Sequence, residues 1–118
     1  KIQELKIVKE REDKIFIGAG ATLVSLTENH LIEKNFPVLM QALNVIGSPQ
    51  IRHMGTIGGN ICTASPAGDT LPPLYVLEAV LEIRSKSHKR EVSIKDFILG
   101  SGKTDLEHGE IIYGIKIK

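Results

Sequence analysis

The chain has 118 residues, 42% of them hydrophobic and 25% charged, the size and make-up of one globular domain with its own core. That balance excludes a disordered or collagen-like polypeptide, and no apolar run approaches the roughly 18 residues that a membrane helix needs. A net charge of +1, no Trp, and scattered Tyr and Phe argue against a nucleic-acid binder; the one basic cluster, Lys86, His88, Lys89 and Arg90, reads as a solvated hairpin tip.

Two short strands open the chain. Leu5 and Ile7 alternate over residues 4–9, a charged turn follows at 10–13, and Ile15, Ile17 and Ala19 alternate again, which predicts a hairpin. Gly18 and Gly20 mark where the second strand ends or is closely approached. One helix is expected next, capped by Thr22 or Ser25, with Ser25 and Glu28 in capping-box spacing and Leu23, Leu26, Leu31 and Ile32 as its apolar stripe. Asn35 ends it and Pro37 starts another, in which Leu39, Ala42, Leu43 and Ile46 share one face before Gly47 stops it.

Residues 50–68 differ from the rest, with Gly55, Gly58, Gly59 and Gly68 and few large side chains. Asp69 or Thr70 then caps a helix with Pro72 and Pro73 in its first turn. Leu81, Ile83 and Ser85 alternate with Glu82, Arg84 and Lys86 as a strand with one wet face, and Val92 and Ile94 return as its partner. After the Gly100-Ser101-Gly102 loop, Ile111, Tyr113, Ile115 and Ile117 fall on one side of a last strand. Clustered strands and hairpin links predict an α+β fold, a mainly antiparallel sheet of about five strands with flanking helices.

A single Cys62 excludes an internal disulfide or multi-Cys metal site, and reads as a small buried hydrophobe in a strand. The four His show no metal-ligand spacing; beside the glycine run, His53 reads as a surface loop histidine ahead of a ligand or partner contact, and Arg52 equally as a phosphate contact or as a salt-bridged or solvated residue. A reduced, cytoplasmic setting fits. The N-terminus is no signal peptide, the first residue is Lys1, and the chain stops inside the alternating run at 115–118, so a segment of a longer protein is expected.

The chemistry is concentrated in Gly55-Thr56-Ile57-Gly58-Gly59-Asn60-Ile61 and the following residues to Asp69. Adjacent glycines can expose consecutive main-chain N–H groups, the makings of an anion nest suited to a pyrophosphate. Thr56, Thr63 and Ser65 add hydroxyls, Asn60 an amide, Asp69 an acceptor for a sugar hydroxyl, and Ile57 and Ile61 apolar flanks. On these residues alone a bulge or tight turn is the commoner use of a Gly-Gly pair. The run is neither the Gly-x-Gly-x-x-Gly of a Rossmann unit nor an ATP-cradling loop.

The stretch from Ile46 to Ile61, with Ala64-Ser65-Pro66-Ala67-Gly68-Asp69-Thr70-Leu71-Pro72 after it, resembles the FAD-binding (medium) subunit of molybdenum hydroxylases, the xanthine dehydrogenase and carbon monoxide dehydrogenase family with its T-I-G-G-N signature. Residues 17–23 and Gly109-Glu110-Ile111-Ile112 also match, so the likeness spans essentially residues 1–118. The resemblance implies the second subdomain of a PCMH-type FAD-binding domain, with Thr56, Ile57, Gly58, Gly59 and Asn60 holding FAD and Ser65, Asp69, Ile46 and Ile112 beside it. It implies no catalytic side chain and no metal ligand here; the flavin does the chemistry. It implies partner subunits carrying molybdopterin and iron–sulfur clusters, and NAD or another acceptor for the electrons. The preceding α/β subdomain, with its A-G-G-T-type loop, and the C-terminal subdomain are expected to be missing, so that this segment alone holds FAD poorly, if at all. Two other readings stand beside it: a structural or interaction domain of the same fold without cofactor, and a fragment of a vanillyl-alcohol-oxidase-type flavoenzyme.

Overall fold

A computed structural model describes residues 4–45, 55–63 and 70–118. After a 3-10 turn at Glu4–Lys6 come β1 (Val8–Arg11) and β2 (Lys14–Gly18), paired antiparallel as expected, with Leu5 in the turn and not in a strand. Three short helices follow, α1 (Leu23–Thr27), α2 (His30–Asn35) and α3 (Pro37–Val45); then α4 (Ile57–Thr63), α5 (Leu71–Val76), β3 (Val80–Arg84), β4 (Lys89–Ser93), α6 (Ile94–Phe97), β5 (Ile98–Gly100), β6 (Lys103–Thr104) and β7 (Ile111–Ile117).

The main sheet has five strands in the order β1-β2-β7-β3-β4, every neighbouring pair antiparallel, and β5 pairs with β6 separately. The expected α+β architecture stands. One face of the sheet meets the helices in a single core: Ile15, Ile17, Leu81, Ile83, Ile115 and Ile117 pack with Leu23, Leu26, Ile32, Leu39, Leu43, Ile57, Ile61, Leu74 and Phe97. Leu39 and Leu43 sit on the buried face of α3 as the spacing predicts. Ile46 and the stop at Gly47 lie outside the described residues.

Three local expectations are corrected. The helix predicted through residues 22–35 is two helices, because Asn29 is itself an N-cap: its Oδ1 accepts from the Ile32 N–H at 3.1 Å. Thr22 caps α1 by accepting from the Ser25 N–H, and Glu28 ends that helix, so no Ser25–Glu28 capping box forms. Ile94 opens α6 and does not extend the returning strand.

A further correction is one of parity. The register of β3 against β7 slips between Glu82 and Ile83, which face Gly114 and Ile112. Tyr113 is left over, and the alternation of β7 reverses across it. Ile112, Ile115 and Ile117 enter the core, Ile111 is exposed, and Tyr113 joins Phe16 on the opposite face of the sheet with ring centroids 6.1 Å apart. That face is less wet than expected. Arg11 lies over the Phe16 ring and Arg84 over Tyr113, at 4.6 and 3.5 Å from the ring centres, and Glu82 is buried under ion pairs to Arg84 and Lys116.

Candidate functional site

The glycine run is helical. Thr56 starts α4: its Oγ1 accepts from the Gly59 N–H at 3.0 Å and its carbonyl from the Asn60 N–H at 2.9 Å. Two glycines make a poor helix intrinsically, so tertiary contacts must hold this one. They come from the segment just after β2. Thr22 and Thr56 form an antiparallel bridge, the Ile57 N–H donates to the Ala21 carbonyl at 3.0 Å, and the Gly58 N–H to the Ala19 carbonyl at 2.9 Å. Ile57 and Ile61, four apart, are wholly buried. Gly58 allows the close approach: a Cβ there would stand 2.8 Å from the Ala19 Cβ and 2.9 Å from its carbonyl oxygen.

This arrangement overturns the anion nest. The main-chain N–H groups of Ile57, Gly58, Gly59 and Asn60 all have partners within the chain, so none is left pointing at a ligand. The physical reason is long-range. Residues 19–21 offer carbonyls at the edge where a helix start needs acceptors, and local spacing carries no sign of that pairing.

A shallow hollow of about 310 Å³ lies beside α4. Thr56, Gly58 and Gly59 of the motif line it together with Leu106, Ile111 and Ile112, and Leu5, Ala19 and Gly20 also contribute. Gly20 is closely approached as expected, since a Cβ there would meet the Leu5 carbonyl oxygen at 2.9 Å. Gly59 is less crowded than Gly58: its Cβ direction meets only the Thr56 Oγ1, closely, at 3.1 Å. Four of the nine residues expected around a cofactor, Thr56, Gly58, Gly59 and Ile112, therefore share one hollow. Ile57 faces the core, and Asn60 turns its Oδ1 to Thr70, accepting from that residue's hydroxyl and, at 3.4 Å, from its N–H. Ile46, Ser65 and Asp69 lie outside the described residues, as do Arg52 and His53.

Cys62 is corrected outright. It lies on α4, is exposed, and lines the hollow. Although the residue as a whole is exposed, desolvation of its sulfur by neighbouring atoms pushes the thiol above its ordinary range.

The hollow also has an ionic buttress that the sequence did not reveal. Glu110, buried, accepts from Arg90 through both carboxylate oxygens, at 3.0 and 2.9 Å, and from the Glu107 N–H at 2.9 Å. Arg90 also binds the Asp105 carboxylate and carbonyl, each at 2.9 Å, and the His88 Nε2 lies 3.4 Å from Glu110. The Arg90 guanidinium and the Glu107 amide hold the Glu110 pKa down to about 2, and the two carboxylates raise that of Arg90. Arg90 and His88 are thus anchored, not free at a hairpin tip. Arg90 and Glu110 stand 20 residues apart, so only the β4–β7 end of the fold brings them together. Among the described residues no group of His, Cys, Asp or Glu could hold a metal, and no helix is long and apolar enough to cross a membrane.

Residues 1–117 match the model of the FAD-binding domain in molybdopterin dehydrogenase. The chain belongs to that family. This FAD-binding domain is 38% identical over 112 residues to the xanthine dehydrogenase FAD-binding subunit of Escherichia coli O157:H7, covering 94% of this chain and 38% of that one. It is 36% identical over 115 residues to the nicotinate dehydrogenase FAD-subunit of Eubacterium barkeri, covering 95% and 39%. Its fold superposes on carbon monoxide dehydrogenase from Hydrogenophaga pseudoflava with a TM-score of 0.93 at 30% identity, and on quinoline 2-oxidoreductase from Pseudomonas putida 86 with 0.93 at 28%; each match covers 98% of this domain and 40% of the other chain. The domain spans about two fifths of the length of each of these relatives.

Proposed function

We propose that this domain helps to bind FAD within a molybdopterin-dependent dehydrogenase, in which electrons pass from iron–sulfur clusters through FAD to NAD or another acceptor. The single observation that supports it is the hollow, where a motif on α4 meets Ile112 of β7 across more than fifty residues of chain. The residues there suit part of a dinucleotide. Gly59 presents a surface with no side chain, the Thr56 hydroxyl keeps its own proton to donate while accepting from Gly59, and Leu106, Ile111 and Ile112 supply an apolar wall. Bound FAD would supply two-electron and one-electron transfer; the chain supplies position, polarity and exclusion of water.

Because the helix-start amides are taken, the phosphates are held by side-chain donors in this reading: Thr56 and Asn60 here, and groups outside residues 1–118. Ser65, Asp69 and Ile46 remain proposed contacts on the strength of the family likeness. Partner subunits bearing molybdopterin and iron–sulfur clusters belong to the same proposal.

The filled amide bonds also favour a second reading, a domain that keeps the fold and does without the cofactor. Purifying the full-length protein separates the two. The first predicts a flavin absorption band, FAD released on denaturation, and copurifying molybdenum and iron. A colourless protein that takes up no added FAD would reject it. Flavin without molybdenum or iron would point to a flavoenzyme of another kind.

A further inference from the structure

Thr70 stands at the N-cap position of α5, where a threonine hydroxyl ordinarily accepts a hydrogen bond from the second or third helical N–H. It makes no such bond, and its backbone is already helical, with φ −94° and ψ −12°. The reason lies in the next residues. The second and third helical positions are Pro72 and Pro73, which carry no N–H to be capped. The hydroxyl is therefore free for another partner, and it donates to the Oδ1 of Asn60. The Thr70 N–H reaches the same oxygen at 3.4 Å, and Thr70 is wholly buried.

This contact fixes more than distance. A main-chain N–H can only donate, so the atom of the Asn60 amide that faces it must be the oxygen. The NH₂ group, with two donors and no acceptor, is then turned away from Thr70. The bond also ties the middle of α4 to the start of α5.

We propose that Thr70 is a positioning residue for the FAD site, acting through Asn60: it holds the amide oxygen inward so that position 60 offers only N–H donors, the polarity that a pyrophosphate requires. The proposal rests on the FAD reading above and adds to it a residue and a direction of the amide.

The test uses full-length protein stripped of flavin and titrated with FAD by fluorescence, with thermal unfolding measured alongside. Thr70→Val should weaken FAD binding by about tenfold or more, the loss of one hydrogen-bonded donor to a charged group. Thr70→Ser should restore binding to near that of the unaltered protein. In an Asn60→Ala background, Thr70→Val should cause no further loss. Asn60→Asp keeps the acceptor for Thr70 but replaces the donors with a carboxylate, so it should unfold near the normal temperature yet bind FAD poorly; this arm decides if Thr70→Val does not fold. Unchanged affinity in Thr70→Val, an equal loss with and without Asn60, or tight binding by Asn60→Asp would overturn the proposal. If the unaltered protein takes no FAD, the underlying reading falls and the proposal falls with it.

Discussion

Gly58 and Gly59 are neighbours in one helix, yet their missing side chains serve different ends. A methyl at 58 would collide with Ala19, so Gly58→Ala should cost about 1–3 kcal/mol in denaturant unfolding, as overpacking does. A methyl at 59 would meet only the Thr56 Oγ1 and otherwise enter the hollow. Alanine is the better helix former by roughly 0.5–1 kcal/mol, so Gly59→Ala should fold about as stably as the unaltered chain while losing affinity for FAD. Equal effects on stability and binding at the two positions would undo this division. Glu110 offers a second check. Its carboxyl is held at about 2 when folded, below its ordinary 4.5, so its stabilising contribution is complete above pH 4.5 and is lost as pH falls through 2. Unfolding midpoints followed from pH 5 to pH 2 should therefore drop less steeply in Glu110→Gln than in the unaltered protein. Residues of this kind separate what local sequence carries from what it does not. The T-I-G-G-N run at 56–60 identified the family from residues alone, but the use of its amides depended on carbonyls some forty positions upstream. The exposure of Cys62 and the pairing of Arg90 with Glu110 likewise depend on which elements meet.

At the scale of elements, β7 is the central strand, and Gly114 within it faces Gly18 of β2 and Glu82 of β3. A Cβ at 114 would lie 2.2 and 2.4 Å from the Phe16 ring. Gly114→Ala should destabilise the domain by at least about 1–3 kcal/mol, and Phe16→Leu combined with it should recover part of that loss. Strictly additive losses would show that the ring is not the obstacle. The strands, hairpins and helix faces were legible because period-two and period-3.6 patterns survive in the sequence, as in Ile15, Ile17 and Leu39, Leu43. The breaks were not. The bulge that reverses β7 at Tyr113 is not specified by the run of apolar residues at 111–113, and Asn29 becomes a cap inside a stripe whose hydrophobic spacing alone would continue the helix. Alternation alone predicts a wet Glu82, because it reports on side-chain direction and not on the Arg84 and Lys116 that cover it.

Across the whole molecule, the helices on one face of a five-stranded antiparallel sheet bury a single core, and the candidate site sits where α4, the end of β2 and the start of β7 converge. The domain covers about two fifths of the length of relatives such as the Escherichia coli xanthine dehydrogenase FAD-binding subunit, so the cofactor's remaining contacts are proposed to come from the rest of the protein. The most direct test is a crystal structure of the full-length protein with FAD bound. The account predicts cofactor atoms within van der Waals contact, about 4 Å, of Gly59 and Ile112, with the Asn60 NH₂ turned toward the phosphates and its oxygen still on Thr70. FAD seated elsewhere, with the hollow beside α4 filled by protein, would contradict it.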